Sequence, residues 1–389
     1  MGSGRTGTLA ATLLALTLMG CTASTPPSVS SGPAASPTPS GLPTGMRYRE
    51  LTERLGDGEP VRLYVLDIAP DARVRVTGMH GSDLAGSETV RSMAASAGAI
   101  AAVNGTYYDI STGRDYAGYE GDPLGLYVEN GRVLSEALAG RPALLLGEDA
   151  GRLTARVADT STTGTVRAAD GAERELDGVD RVAGRVPDEV VSFTAEWGTD
   201  TPSGPVDSTE VLLTADGTVL GTRTPAGGPL PEGGGSLYGI GGSATWLRAH
   251  AKTGENIAVS TRLTDAPARG TVDTALGGSA WLVRDGALDP DAARLGTGRE
   301  PRTAAGVTAD GTLLLVAIDG RAKGVSAGAT PTEAGRLLLS LGAVDALNLD
   351  GGGSTTVVVD GELRNSPRST DNGPVTERRV ADGIAILPK

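Results

Sequence analysis

Beyond about residue 47 the chain is written in short apolar runs. Val61–Ile68, Leu124–Val128, Val211–Leu213, Thr312–Ile318 and Val357–Val359 stand out, among breaks marked by Asp-Gly, Asn-Gly and Gly-Gly. Runs of this length with such flanks predict strands joined by tight turns. Helical spacing is rarer. The best cases are Ser87–Ala97 and Pro331–Leu341, the second with Thr330 as N-cap, Pro331 at the first helical position and Glu333 at the third. The pattern predicts an α+β fold: strand-rich mixed sheets with few helices.

A weak repeat runs through this pattern. Val128-Glu129-Asn130-Gly131, Val283-Arg284-Asp285-Gly286 and Val358-Val359-Asp360-Gly361 each end a strand-like run in a turn dipeptide. An arginine follows each one, at Arg141, Arg302 and Arg378. Upstream, Leu276-Gly277-Gly278-Ser279 echoes Asp350-Gly351-Gly352-Gly353-Ser354. Either common hairpin chemistry produces this likeness, or β units are internally repeated around one shared site.

Composition narrows the chemistry. Aromatics are 3% of the 389 residues while 39% are hydrophobic, so the core must be aliphatic. The net charge of −13 disfavours nucleic acid as a partner, because phosphate backbones recruit basic faces. Two histidines and one cysteine leave no zinc set and no disulfide framework. No spacing matches a calcium loop, so no metal and no cofactor are predicted. The work falls to Asp, Glu, Arg, Asn and hydroxyls.

The N-terminal stretch reads as targeting. Arg5 precedes an uncharged run from Thr8 to Met19, which ends at Gly20-Cys21. The run is too short to span a bilayer and suits a signal-peptide core. The lone Cys21 at its end resembles the lipidation site of a bacterial lipoprotein. Thr22–Met46 holds no charge before Arg47 and is mostly Ser, Thr, Pro, Gly and Ala, which suits a tether with an r.m.s. reach of about 28 Å. The expected organisation is therefore a signal peptide over 1–20, a tether over 21–46 and one catalytic domain over 47–389. Such a chain is exported and held by a lipid at Cys21 to the outer face of the cell membrane.

Three clusters carry candidate chemistry. In Asn348-Leu349-Asp350-Gly351-Gly352-Gly353-Ser354-Thr355-Thr356, a strand delivers an amide and a carboxylate, then glycines, then hydroxyls. Successive glycine N–H groups can turn toward one concavity and bind an anion. No Lys follows, so this is not a nucleotide-binding P-loop. In Pro301-Arg302-Thr303-Ala304-Ala305-Gly306, followed by Asp319-Gly320-Arg321, an arginine before a buried strand suits a clamp on phosphate or carboxylate. The same arginines also suit surface charges or partners of Asp319. In Asn104-Gly105-Thr106-Tyr107-Tyr108-Asp109, two tyrosines beside an Asn and an Asp suit a sugar pocket, or a plain turn. His80 and His250 read as packing or surface residues.

Taken in order, these motifs resemble the phosphodiester glycosidase family. The likeness runs from about Val61 to Leu387, includes the Val190–Gly198 and Glu210–Leu220 segments, and is strongest at Asn348–Thr356. It implies hydrolysis of a sugar-1-phosphodiester, of the N-acetylglucosamine-1-phosphodiester kind, at the glycosidic bond. It also implies that Asn104, Asp109, Arg302, Thr303, Asp319, Arg321, Asn348, Asp350, Ser354, Thr355 and Arg378 lie near the site, with Tyr107 beside them. On this basis Arg302, with Gly352, Gly353, Ser354 and Thr355, neutralises the departing phosphate. Asp350 activates water, with Asp319 as the alternative carboxylate. Two other functions fit the same residues: hydrolysis of a neutral envelope polysaccharide, and glycan binding without catalysis.

Overall fold

The strand Leu313–Ile318 shows how the chain builds layers. All six of its side chains are buried. Leu313, Leu315 and Ala317 enter one core, while Leu314, Val316 and Ile318 enter another. Alternation with period two sends successive side chains to opposite faces, so a strand covered on both sides must be apolar throughout. Val61, Leu63 and Val65 divide from Tyr64, Leu66 and Ile68 in the same way. Each fully buried leucine contributes about 1.5–3 kcal/mol.

These strands belong to a seven-stranded antiparallel sheet, ordered Met46–Arg54, Pro60–Ile68, Leu313–Ile318, Arg302–Thr308, Ala343–Asn348, Ala280–Arg284 and Ala287–Leu288. The computed structural model describes residues 41–110, 118–264 and 271–389. The expected signal peptide, Cys21 and the tether as far as residue 40 lie outside the described residues. Helices Pro331–Ser340 and Asp291–Arg294 cover the outer face of the sheet. The first is set by the anticipated capping box: Thr330 Oγ1 accepts from Glu333 N, and the Glu333 side chain accepts from Thr330 N.

A second sheet runs Glu362–Leu363, Val357–Val359, Ala101–Asn104, Asp382–Pro388 and Val74–His80. A third runs Arg152–Asp159, Pro142–Asp149, Thr274–Gly277, Tyr127–Glu129 and Arg132–Ser135. The main core lies among the inner faces of all three, where Leu66, Leu144, Leu276, Leu347, Val103 and Ile384 share one cluster. Helix Val90–Ala97 seals the far face of the second sheet with Val90, Met93 and Ala94. It begins three residues later than its pattern suggests. Thr89 is its N-cap, and Glu88–Thr89 pairs instead with Arg379–Val380.

The three repeated turns occur once in each of these sheets. Asn130 and Gly131, Asp285 and Gly286, and Asp360 and Gly361 all have positive φ at both positions, between 50° and 74°. That is the backbone of a two-residue hairpin turn matched to strand twist. The expected strand Leu124–Val128 is broken. Pro123–Leu124 pairs with Tyr107–Tyr108 while Tyr127–Glu129 enters the third sheet, and Gly125 at φ 114° makes the bend. Between Arg152–Asp159 and Thr274–Gly277, two strands of the third sheet, strands such as Val190–Phe193, Thr209–Leu213 and Gly235–Gly239 enclose a separate core, with Val190, Val211, Leu237 and Leu247. Helix Gly242–His250, whose N-cap Gly241 has no side chain and whose first amide donates to the remote Asp188 Oδ1, was hidden behind its Gly241-Gly242 start.

Candidate active site

The site forms where two strand ends from different sheets meet. Ala343–Asn348 lies between Arg302–Thr308 and Ala280–Arg284, with Asn348 opposite both Ala304 and Ala280. Just past its end, Asp350 N donates to Gly105 O at 3.1 Å. Asn104 Nδ2 donates back to Asp350 O at 2.7 Å. Asn104 Oδ1 accepts from Thr303 Oγ1 at 2.7 Å and from Thr356 N at 3.0 Å. Asn104 and Thr303 are fully buried, so both fasten the site rather than face a ligand.

Asn348 is also fully buried. Its Nδ2 donates to Tyr107 Oη at 2.7 Å, to Ser279 Oγ at 3.0 Å and to Leu349 O at 2.8 Å. Tyr107 in turn donates to Ser279 Oγ at 3.2 Å. Asn348 Oδ1, Ser354 Oγ, Thr355 Oγ1 and Thr356 Oγ1 are buried and have no protein hydrogen-bond partner of good geometry. Four unpartnered oxygens within nine residues form an unusual concentration, since buried polar atoms ordinarily find partners.

The glycines carry two arginines. Gly352–Ser354 forms a single 3-10 turn, with Gly352 at φ 61°. A Cβ on Gly353 would stand 2.6 Å from Arg378 Nη2, and one on Gly352 would stand 3.4 Å from Arg321 Nη2. Bare backbone at Gly353 lets the Arg378 guanidinium lie against the turn, whereas at Gly352 a Cβ would meet Arg321 at ordinary contact distance and the positive φ is what calls for glycine. Ser369 joins them: Arg378 Nη2 donates to its hydroxyl at 3.3 Å and Arg321 Nη1 to its carbonyl at 2.8 Å. Arg321 is neutralised by Glu300 at 2.8 Å, whereas Arg378 has no carboxylate partner among the described residues.

Arg302 is placed differently from the sequence expectation. Its Nε donates to Ala329 O at 3.0 Å and its Nη2 to Gly298 O at 3.1 Å, so two of its three nitrogens are bound to backbone. Burial lowers its pKa. Neither Arg302 nor Arg321 is a partner of Asp319. Asp319 Oδ1 accepts from Asn365 Nδ2 and Ser366 N, both at 3.1 Å, and Oδ2 accepts from Tyr64 Oη at 3.1 Å. Burial raises its pKa. Asn365 also donates to Thr355 O at 2.8 Å, so Asp319 braces the glycine turn from behind. Both its oxygens are occupied, which makes it a poor base.

Asp350 is the better carboxylate. Burial raises it to about 6, against the opposing pull of the Ser354 hydroxyl, the Gly351 amide and the Arg378 charge. Ser354 lies by the carboxyl without making an ordinary hydrogen bond to it. Asp350 sits among Tyr107 and Tyr108, whose pKa values rise chiefly through burial and further through the Asp350 charge. Asp109 lies one step away, with its N donating to Asp122 O at 2.9 Å. His80 and His250 meet Glu129 at 3.5 Å and Asp170 at 2.8 Å, with no nucleophile alongside.

Two residues at the site went unread in the sequence. Ser279 was visible only as part of the Gly-Gly-Ser echo. Asp382 stands as a lone carboxylate in an apolar terminal strand and is fully buried. No group of three or more His, Cys, Asp or Glu that could hold a metal occurs among the described residues. A groove of about 840 Å³ lies elsewhere, lined by residues 192–196, 213–217 and 256–261. It includes none of the site residues.

This arrangement, a weakened carboxylic acid beside a glycine turn flanked by guanidinium groups, has the chemistry to meet an anion. The sequence pattern of the phosphodiester glycosidase family matches residues 208–387. A putative exported protein from Burkholderia pseudomallei superimposes with a TM-score of 0.74 at 30% identity, over 85% of this chain and 75% of that one. The chain belongs to the phosphodiester glycosidase family. It is also similar to an SPβ prophage-derived uncharacterized protein of Bacillus subtilis, 37% identical over 111 residues, and to N-acetylglucosamine-1-phosphodiester α-N-acetylglucosaminidase of Bos taurus, 32% identical over 128 residues. Those matches take in 27% and 28% of this chain, and only 16% and 24% of the respective relatives.

Proposed function

We propose that the protein hydrolyses a sugar-1-phosphodiester at its glycosidic bond. The observation that carries this reading is the proximity of Asp350, a carboxyl titrating near 6, to a glycine turn on which Arg321 and Arg378 rest. Water attacks the anomeric carbon while Asp350 takes its proton. The C1–O bond breaks, and its electron pair leaves on the phosphate oxygen. A phosphodiester is a good leaving group, so charge neutralisation matters more than a strong general acid. Arg378, which has no carboxylate partner among the described residues, supplies most of it, with Arg321 beside it and Arg302 contributing at most one free nitrogen. The oxygens of Asn348, Ser354, Thr355 and Thr356 have no protein partner but are sealed from solvent, so sugar hydroxyls or phosphate oxygens reach them only once the glycine turn shifts.

The bovine relative's name gives N-acetylglucosamine-1-phosphodiester as that protein's substrate, which supports the same class here. Residues 1–20 are read as a signal peptide and 21–46 as a tether, whose last residue, Met46, already opens the first strand and is buried in the core. On this reading the enzyme works outside the cell, on envelope glycans, held by a lipid on Cys21. The Burkholderia relative, titled a putative exported protein, supports export. Loss of radiolabelled fatty acid in Cys21→Ala would be expected, and retention would rule the anchor out.

The test of activity is sugar and phosphate release from UDP-N-acetylglucosamine and a simple alkyl sugar-1-phosphodiester, beside Asp350→Asn. Free sugar only with the parent supports the reading. Release of sugar-1-phosphate would signify attack at phosphorus instead. Faster turnover of a nitrophenyl glycoside, unaffected by Arg378→Ala, would favour a hydrolase of neutral polysaccharide.

A further inference from the structure

We propose that Asp382 is a positioning residue for Asp350, acting through the Asn104–Thr106 turn that both residues grip. The inference rests on the functional reading above for its kinetic consequence, but not for its geometry. On one side of the turn, Gly105 N donates to Asp382 O at 3.0 Å, Thr106 N donates to Asp382 Oδ1 at 2.7 Å, and Thr106 Oγ1 bonds Asp382 Oδ2. On the other side, Gly105 O accepts from Asp350 N at 3.1 Å, and Asn104 Nδ2 donates to Asp350 O at 2.7 Å. Three consecutive residues therefore hold one aspartate by each face. The packing leaves no slack, since a Cβ on Gly105 would lie 2.1 Å from Asp382 Oδ1.

The same closeness couples the two carboxyls electrically. Asp382 is fully buried, with no cation against it among the described residues. Burial, then the charges of Asp350 and Glu129, raise it to about 7, while the Thr106 hydroxyl and amide lower it. Glu129 is itself engaged by Tyr127 Oη at 2.7 Å and His80 Nε2 at 3.5 Å. Around Asp350 stand Tyr107, Tyr108, Ser354 and Arg378. As pH rises Asp350 ionises first, and Asp382 keeps its proton until about 7, chiefly because burial disfavours its charged form and further because Asp350 is by then charged. Above that pH the turn gains a buried charge beside the place where phosphate must leave.

The experiment is a ¹³C carboxyl NMR titration of aspartate-labelled full-length chain, run for the parent, Asp350→Asn, Asp382→Asn and Thr106→Val. The pH profile of kcat/KM is measured on an alkyl sugar-1-phosphodiester in parallel. In Asp350→Asn the Asp382 midpoint falls below its parent value, because a charge that raised it is gone. In Thr106→Val it rises, because the ionised form loses a donor. In Asp382→Asn the step near pH 7 disappears from the kinetic profile, the step near 6 remains, and kcat falls on the order of 10-fold or more with KM little changed. Thr106→Val keeps the carboxyl in place and decides the matter should Asp382→Asn fail to fold. An Asp382 midpoint indifferent to Asp350→Asn, or a kinetic step near pH 7 that survives Asp382→Asn, overturns the proposal. Absence of turnover with coupled NMR titrations would instead overturn the proposed activity and leave the positioning intact.

Discussion

Asn104 and Asp350, 246 positions apart, are joined side chain to backbone at 2.7 Å, and the same Asn104 holds Thr303 and the Thr356 amide. One buried amide thus pins three segments that converge on the site. Replacing it with alanine leaves a hydroxyl, an amide N–H and a carbonyl without partners, at about 1–3 kcal/mol for each buried group left unsatisfied. Asn104→Ala is expected to lose about 3 kcal/mol or more in urea unfolding, with activity falling alongside stability. A loss below about 1 kcal/mol would mean that the segments converge without it.

Asp350→Asn removes the ionisable group while keeping its shape. Turnover should fall by at least about 10²-fold, with the thermal midpoint unchanged or slightly raised, since a buried carboxyl is exchanged for a neutral amide. Wild-type turnover in the variant would move the catalytic role elsewhere.

Gly353→Ala tests the arginine cradle without touching an arginine. The added methyl would collide with Arg378 Nη2 at 2.6 Å and Ser369 Oγ at 2.9 Å. It should match Arg378→Ala in lost turnover, on the order of 10²-fold, as when one charged transition-state donor is removed. Arg302→Ala should cost less, because two of its nitrogens serve backbone carbonyls. A larger loss from Arg302→Ala than from Arg378→Ala would restore the assignment that the sequence suggested.

Stability should fall as pH rises through neutrality. Burial raises Asp122 and Asp382 to about 7 and Asp180 to about 8. A carboxyl with a higher pKa folded than unfolded binds more protons in the fold between the two values, so its contribution is greatest at low pH and is lost as pH climbs through the folded pKa. Asp57, Asp216 and Glu333, whose pKa values are lowered by hydrogen bonds, act oppositely and only at acidic pH. Calorimetry should therefore find the highest melting temperature near pH 5 and a decline to pH 8, with a shallower decline in Asp180→Asn. A melting temperature that rises across this interval would contradict the buried carboxyls.

The sequence was legible where one physical requirement acted alone. Leu313–Ile318 and Val357–Val359 read as strands because burial on both faces demands unbroken apolar runs. The Pro331 helix read correctly because its cap is encoded locally. Asp350 and the glycines stood out because a carboxylate beside conformationally free backbone has few purely structural uses. The partners of Arg302 were not legible, since an arginine leading a strand looks alike whether it faces ligand or the carbonyls of Gly298 and Ala329. Those of Asp319 were hidden for a similar reason: Tyr64, Asn365 and Ser366 are remote in sequence, so nothing nearby shows that its oxygens are taken. Ser279 and Asp382 depend wholly on tertiary contacts.

The strand Asp382–Pro388 lies between Ala101–Asn104 and Val74–His80, and the Thr106 that its first residue holds is 276 positions away. During synthesis the second sheet therefore waits with a gap between its central strand and the edge strand Val74–His80, and the turn beneath Asp350 has nothing to press against. Only when this strand arrives do the sheet, the turn and the carboxyl take their places together. Completion of the fold and the onset of function are then a single late event, and a partly made chain has no working site.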